Sequence, residues 1–230
     1  MNREDSQYIT GKGFQTSIVS YPQRGHWGRA DYPGNTSGYL IYDFISQYYP
    51  VAPPNLFVEL FSGGGTGRDV AREMGIVTSV HLDINNGWDA LNDEVPQGAD
   101  LVFAHPPYWN MIDYAKFRGK KYVHDISSIG DYDAYVSVMS SLFTRVYESI
   151  AAGGRYGVLL GLIRRRGKLY DPARDIQFHG TLVDEVIKVQ HNTSSGRQDL
   201  SGKYGNSRFT RIVHEKLLIY QKQGYIERSG

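Results

Sequence analysis

Two short stretches combine residue types and spacings that could do chemistry. The first is Phe61-Ser62-Gly63-Gly64-Gly65-Thr66-Gly67, directly after the apolar run Leu56–Leu60. Its glycines remove the side chains that would keep a backbone turn away from a ligand. An acidic residue, Asp83, closes the next apolar run, 20 positions after Gly63. A carboxylate at such a place can take two ribose hydroxyls. The full G-x-G-x-x-G pattern is absent, since Val70 holds the third glycine's place. No lysine follows as in G-x-x-x-x-G-K, which argues against a nucleoside-triphosphate loop. The second stretch is His105-Pro106-Pro107-Tyr108-Trp109, after the run Ala99–Ala104. Two prolines stop a sheet and leave the preceding carbonyls to accept hydrogen bonds. Tyr108 and Trp109 then offer an aromatic wall for a flat group, such as a base taken out of its stack.

The elements that must position these stretches are legible as an alternation. Residues 1–38 are rich in Gly, Tyr, Ser and Asn and read as an irregular arm. Gly38 to Tyr49 has apolar groups at helical spacing and ends before Pro50. Leu56–Leu60 is a buried strand, and the segment after the glycine turn is a helix closed by Gly75. Val77–Leu82 and Ala99–Ala104 are strands, with a helical turn at 89–92 between them. After a polar stretch at 110–130, Tyr132 to Ala152 reads as a long amphipathic helix ended by Gly153-Gly154, and Tyr156–Ile163 as a fourth strand. Val183–Gln190 and Glu215–Lys222 are late strands flanking a polar loop at 191–210. This alternation predicts an α/β domain with a mainly parallel sheet and an antiparallel edge, a single domain over 1–230. In it, 1–50 is the arm and helix, and 51–230 the core. Both chemical stretches then fall at carboxyl ends of strands, where open α/β sheets bind ligands.

Composition narrows the chemistry. The chain has 230 residues, 40% hydrophobic and 21% charged, enough to bury a sizeable core. Lys+Arg 25 against Asp+Glu 24 gives a net charge of +1, which argues against a polybasic binding mode but leaves room for a local groove. Basic residues cluster at Lys116, Arg118, Lys120 and Lys121 and at Arg164-Arg165-Arg166-Gly167-Lys168, and the loop at 191–210 is polar and basic. There is no cysteine, so disulfides, thiolate metal sites and cysteine nucleophiles are excluded. His179, His191 and His214 show no metal-ligand spacing, and no metal site is expected. No apolar window reaches membrane-spanning length and the N-terminus has no secretory pattern, so a cytoplasmic location without membrane attachment is expected.

Taken in chain order, VELFSGGGTGRD, HLDI and DLVFAHPPYW resemble the S-adenosylmethionine-dependent methyltransferases that modify exocyclic amino groups of DNA bases. The resemblance runs from roughly residue 26 to residue 220. It implies a class I methyltransferase-like (Rossmann-like) fold, a mainly parallel seven-stranded sheet with one late antiparallel strand and flanking helices. It implies S-adenosyl-L-methionine as cofactor, with Asn35, Thr36 and Ser37 at its methionine part. Phe61, Ser62, Gly63 and Gly65 would contact it, Asp83 its ribose and Asp89 its adenine amino group. His105, Pro106, Pro107 and Tyr108 would form the target-base site, with DNA as partner and adenine N6 favoured over cytosine N4. RNA or a protein amide is the alternative substrate, a weakened cofactor- or DNA-binding relative the alternative role, and a separate specificity partner is compatible with the short chain. The family places Asp, Ser or Asn where this chain has His105. A neutral imidazole offers one acceptor nitrogen and a protonated one offers none. His105 is therefore expected to work as a neutral acceptor, with activity falling as pH drops through about 6.5 if its pKa is ordinary.

Overall fold

The computed structural model describes residues 13–191 and 209–224. Seven strands form one sheet: β1 (Ile18–Ser20), β2 (Phe57–Leu60), β3 (Ser79–Leu82), β4 (Ala99–Ala104), β5 (Ile150–Gly161), β8 (Thr181–Val189) and β9 (His214–Gln221), in the spatial order β1-β8-β9-β5-β4-β2-β3. The pairs β3–β2, β2–β4 and β4–β5 are parallel, and β9 runs antiparallel to both of its neighbours, β5 and β8. Helices α1 (Gly38–Tyr48) and α2 (Thr66–Glu73) cover one face and α4 (Tyr132–Ser149) the other. This is the class I methyltransferase-like, Rossmann-like sheet.

The period of two along β4 shows why both faces need cover. Leu101 and Phe103 point to the α1/α2 layer, where Leu40, Ile41, Phe44 and Ile45 are fully buried, whereas Val102 and Ala104 point to Met139, Leu142, Phe143 and Val146 of α4. Each large apolar side chain so buried contributes about 1.5–3 kcal/mol. The α1 pattern places apolar residues at i, i+1, i+4 and i+5, one stripe toward the sheet.

The helix expected to run to Ala152 stops at Ser149, and β5 begins at Ile150. Gly153-Gly154, expected as its terminator, lies inside the strand. Gly153 takes φ +78°, and the β4–β5 register shifts between Ala99 and Leu101, so the glycines absorb an irregularity in the ladder. The arm holds β1, which pairs in parallel with β8 through Ile18 and Ile187. Three residues are too few for a periodic signal. The basic run after β5 is a hairpin, β6 (Ile163–Arg165) with β7 (Lys168–Tyr170), and a short helix α5 (Pro172–Asp175) follows. The stretch at 110–130 contains the short helix α3 (Tyr114–Arg118). Of the loop expected at 191–210, residues 192–208 lie outside the described residues. No described helix is long and apolar enough to cross a membrane.

Gly157 tests the packing of this frame. A Cβ there would stand 2.8 Å from both Cε2 and Cζ of Phe44, in the seam between β5 and α1. Gly157→Ala should destabilise the protein by about 1–3 kcal/mol, the usual cost of overpacking a filled core. An unchanged urea midpoint would show that the seam has slack.

Candidate active site

Three strands end at one level. Leu60 of β2 pairs with Leu82 of β3 and with Ala104 of β4. The next residues, Phe61, Asp83 and His105, therefore stand side by side at the carboxyl edge of the sheet. Beyond the ladder, Ser62 N donates to Leu82 O at 3.0 Å and His105 N to Leu60 O at 3.4 Å. Because β3 and β4 lie on opposite sides of β2, the connections diverge here and leave a crevice. That crevice is an open cleft.

Phe61, Ser62, Gly63, Gly64 and Asp83 line it from the sheet edge, and Tyr32, Gly34, Asn35 and Thr36 from the arm. Tyr114 and Arg118 of α3 also border it, with His124, Asp125 and Ile126. His105 and Pro107 border the same cleft, so the structure brings the two chemical stretches together. Gly63 takes φ +44°, and a Cβ on it would stand 2.8 Å from Tyr32 Cε1. Phe61 (φ 62°) and Trp109 (φ 49°) are two of three described non-glycine residues in the left-handed region, and each belongs to one of the stretches. Such strain gathers at sites whose surroundings over-determine the backbone.

Asp83 is held on both oxygens. Oδ2 accepts from Gly63 N at 2.9 Å, and Oδ1 accepts from Asn85 N at 2.9 Å and Asn85 Nδ2 at 2.5 Å. The carboxylate thus ties the glycine turn to the end of β3 and caps the 3₁₀ turn Ile84–Asn86. Glu59, which the sequence reading passed over, does similar work one strand inward. Its Oε1 accepts from Gly67 N at 3.1 Å and its Oε2 accepts from His81 Nδ1 at 2.7 Å. Burial pushes its carboxyl up, against the pull of His81 and the Gly67 N–H. The available signal was an acid inside a strand, FVEL, otherwise apolar and buried throughout.

His105 heads a buried chain of polar groups. Its Nε2 lies 2.9 Å from Tyr108 Oη. Tyr108 Oη donates to Glu215 Oε1 at 2.7 Å, and Lys188 Nζ donates to Glu215 Oε2 at 2.5 Å. Burial pushes His105 down to about 4, with Glu215 opposing and Lys188 assisting. Burial would raise the Glu215 carboxyl, but Lys188, His105 and the two hydrogen bonds bring it down to about 2. Burial and Glu215 push the Tyr108 phenol well up. Glu215 and Lys188 were also missed, because each sits in a late strand far from the motif in sequence.

The aromatic wall is not where the sequence put it. Tyr108 is 8% exposed and Trp109 6%. A phenol buries readily once its hydroxyl has an acceptor, and Glu215 is that acceptor. Gly161 makes room for the ring, since a Cβ there would lie 2.6 Å from Tyr108 Cε2. Trp109 packs on Tyr132 and Tyr170, with the Arg165 guanidinium 4.9 Å from its ring centroid. The rings that do border the cleft include Tyr32, Tyr114 and Trp88. Ser37, Gly65, Asp89 and Pro106 do not line it. Ser37 caps α1 from the arm side, and Gly65 caps α2 with φ +83°. Asp89 accepts from His124 Nδ1 at 2.5 Å, from Asn92 Nδ2 at 2.8 Å and from Leu91 N at 2.9 Å. Its partner His124, not Asp89, borders the cleft. Pro106 is buried, and the Pro107 carbonyl accepts from Tyr135 Oη at 2.9 Å, which pins the turn. Arg118 is turned inward to pair with buried Asp125 and leaves the expected basic cluster.

No protein-family model matches the chain, and no curated protein does. Solved structures do. TrmN from Thermus thermophilus is 13% identical, over 83% of this chain and 50% of its own, with TM-score 0.45. A provisionally assigned DNA modification methylase from the same organism is 18% identical, over 76% of this chain and 56% of its own, with TM-score 0.38. An O-methyltransferase from a multienzyme of Brevibacillus brevis is 9% identical, over 74% and 67%, with TM-score 0.41. The chain spans about half the length of the first two of these structures. At such identities the likeness concerns the fold and assigns no side-chain role.

The histidine environment gives a testable pH behaviour. His105 should titrate near about 4, well below its ordinary value of about 6.5. A folded-state pKa below the unfolded one makes the unfolded chain the better proton binder between the two values. Stability from this group is full above about 6.5 and falls as pH drops through about 4. His105→Asn should therefore lose less stability than the parent between pH 7 and pH 4. Urea midpoints across that range check this, and parallel losses in both proteins would contradict it.

Proposed function

We propose that this chain is an S-adenosylmethionine-dependent methyltransferase acting on the exocyclic amino group of a DNA base, adenine N6 in preference to cytosine N4, with residues 1–230 working as one unit. One observation carries the reading: a single cleft joins the glycine turn and Asp83 to His105. The residues fit the cofactor. Gly63 offers backbone without a side chain, and Asp83 presents a fixed carboxylate for a ribose. Thr36 Oγ1 and Thr66 Oγ1 are buried, border the cleft and have no partner, so both suit a polar ligand. Ile84, Trp88 and Ala90 give an apolar border that a purine can use. When bound, S-adenosylmethionine supplies an electrophilic methyl group.

The protein's own contribution is at the amino group. That nitrogen is a poor nucleophile because its lone pair is delocalised into the base ring. Acceptors that engage its hydrogens favour a tetrahedral nitrogen, an interaction made mainly in the transition state. Neutral His105, which borders the cleft, is one such acceptor. Direct transfer to nitrogen needs no covalent enzyme adduct, which agrees with the absence of cysteine. Support for a nucleic-acid partner comes from the hairpin β6–β7. It follows β5 at the same sheet edge, and Arg165, Arg166 and Lys168 surround a second cavity with Trp109 and Tyr170. Cations interleaved with aromatic rings suit a phosphate backbone.

Labelled cofactor offered with DNA, RNA and protein should put label on the DNA amino group; label on RNA or protein alone would move the substrate class. Asp83→Ala should weaken cofactor binding in calorimetry by roughly 1.5–3 kcal/mol, or about tenfold to a hundredfold. Unchanged affinity in a folded variant would remove Asp83 from the site. Neutralising Arg165, Arg166 and Lys168 together should flatten the salt dependence of DNA binding.

A further inference from the structure

We propose that Tyr108, Glu215 and Lys188 are positioning residues that fix His105 as the Nε2–H tautomer, so that Nδ1 is the ring's acceptor toward the cleft. The tautomer follows from counting hydrogens along the chain of contacts. An ionised carboxylate only accepts. Glu215 takes one hydrogen from Lys188 on Oε2 and one from Tyr108 on Oε1. A phenol has a single hydrogen, and Tyr108 has given it to Glu215. Its oxygen can then only accept from His105 Nε2, 2.9 Å away, so Nε2 carries the hydrogen. A neutral imidazole has one N–H, and Nδ1 is left with its lone pair.

The opposite arrangement is costly. If the Tyr108 hydrogen turned to Nε2, Oε1 of a buried carboxylate would lose its donor, and buried charges that lose hydrogen bonds are strongly destabilising. The sheet builds this chain by register: Lys188 of β8 stands opposite Glu215 of β9, and the hydroxyl of Tyr108 reaches Glu215 from the turn after β4. The carboxylates, the guanidinium and the second histidine bordering the cleft hold partners of their own. Glu59 bonds His81, Asp83 bonds Gly63 and Asn85, and Arg118 bonds Asp125. His124 bonds Asp89, and Asn85 Nδ2 donates to the Tyr32 hydroxyl. Among the described residues no hydrogen bond reaches Nδ1, and the ring borders the cleft. The depressed pKa of His105 keeps this acceptor neutral at ordinary pH.

The use of Nδ1 toward an amino group rests on the methyltransferase reading; the tautomer does not. Long-range proton–nitrogen NMR of the free protein at pH 7, with the His105 signals assigned by their loss in His105→Asn, reads the tautomer directly. The parent should show a protonated Nε2 and a lone-pair Nδ1, and the reverse would overturn the proposal. Glu215→Gln should reverse the tautomer. Its amide nitrogen would donate to the Tyr108 oxygen, the phenol hydrogen would turn to Nε2, and Nδ1 would become the N–H. Tyr108→Phe, which keeps the ring and removes the oxygen, should give a mixture, and covers the case in which Glu215→Gln does not fold. Nε2–H unaltered in Tyr108→Phe would overturn the relay. With a methylated substrate in hand, Glu215→Gln should lower kcat by roughly tenfold or more with cofactor Kd unchanged, the scale of one hydrogen bond made in the transition state. Tautomer shifts as described in a protein that methylates nothing would keep the relay and sink the function.

Discussion

The site depends on the common register of three parallel strands. β2 lies between β3 and β4, and Leu60 meets Leu82 on one side and Ala104 on the other. Parallel pairing fixes the level of each strand relative to its neighbours, so the residues that follow emerge in a row. Phe61, Asp83 and His105 come from segments with no local connection, yet the ladder sets them shoulder to shoulder. A one-residue slip would turn every side chain to the opposite face and would break both apolar layers at once. Core packing and site assembly are thus enforced by the same hydrogen bonds.

Two buried acids rigidify this edge from below. Glu59 spans β2, β3 and the first turn of α2 through His81 and Gly67. Glu215 joins β9, β8 and the turn after β4 through Lys188 and Tyr108. Taking such charges out of water is expensive, and a buried ion pair is weak evidence of added stability. Their value here is directional. A carboxylate has fixed acceptor directions, and each oxygen of these two accepts from a group that belongs to the site or carries it. The glycine turn and the histidine are therefore held by polar bonds as well as by apolar packing.

The aromatic content divides between two tasks. Tyr108 and Trp109 close the core and anchor the hairpin side, whereas Tyr32 and Tyr114, whose ring centroids are 6.1 Å apart, border the cleft with Phe117 against Tyr32. Tyr32 stands over Gly63 from the arm, so the N-terminal segment completes the cleft instead of merely covering the sheet.

Local pattern was enough for much of this protein. The apolar runs at β2, β4 and β8, the α1 stripe ending before Pro50, the glycine turn and Asp83 were legible because each is a property of neighbouring residues. Proline and glycine misled only where context changed their meaning, as at Gly153-Gly154 inside β5. The sequence by itself determined the alternation of strands and helices, hence the sheet type, and placed both chemical stretches at strand ends. The tertiary structure alone decided that Asp89 pairs with His124, that Arg118 turns inward to Asp125, and that Tyr108 is buried against Glu215. It also decided the state of His105, since a histidine's proton is set by the dielectric and the partners around it. Those partners, Tyr108 aside, come from strands about 80 to 110 positions downstream, which chain-local spacing cannot reach.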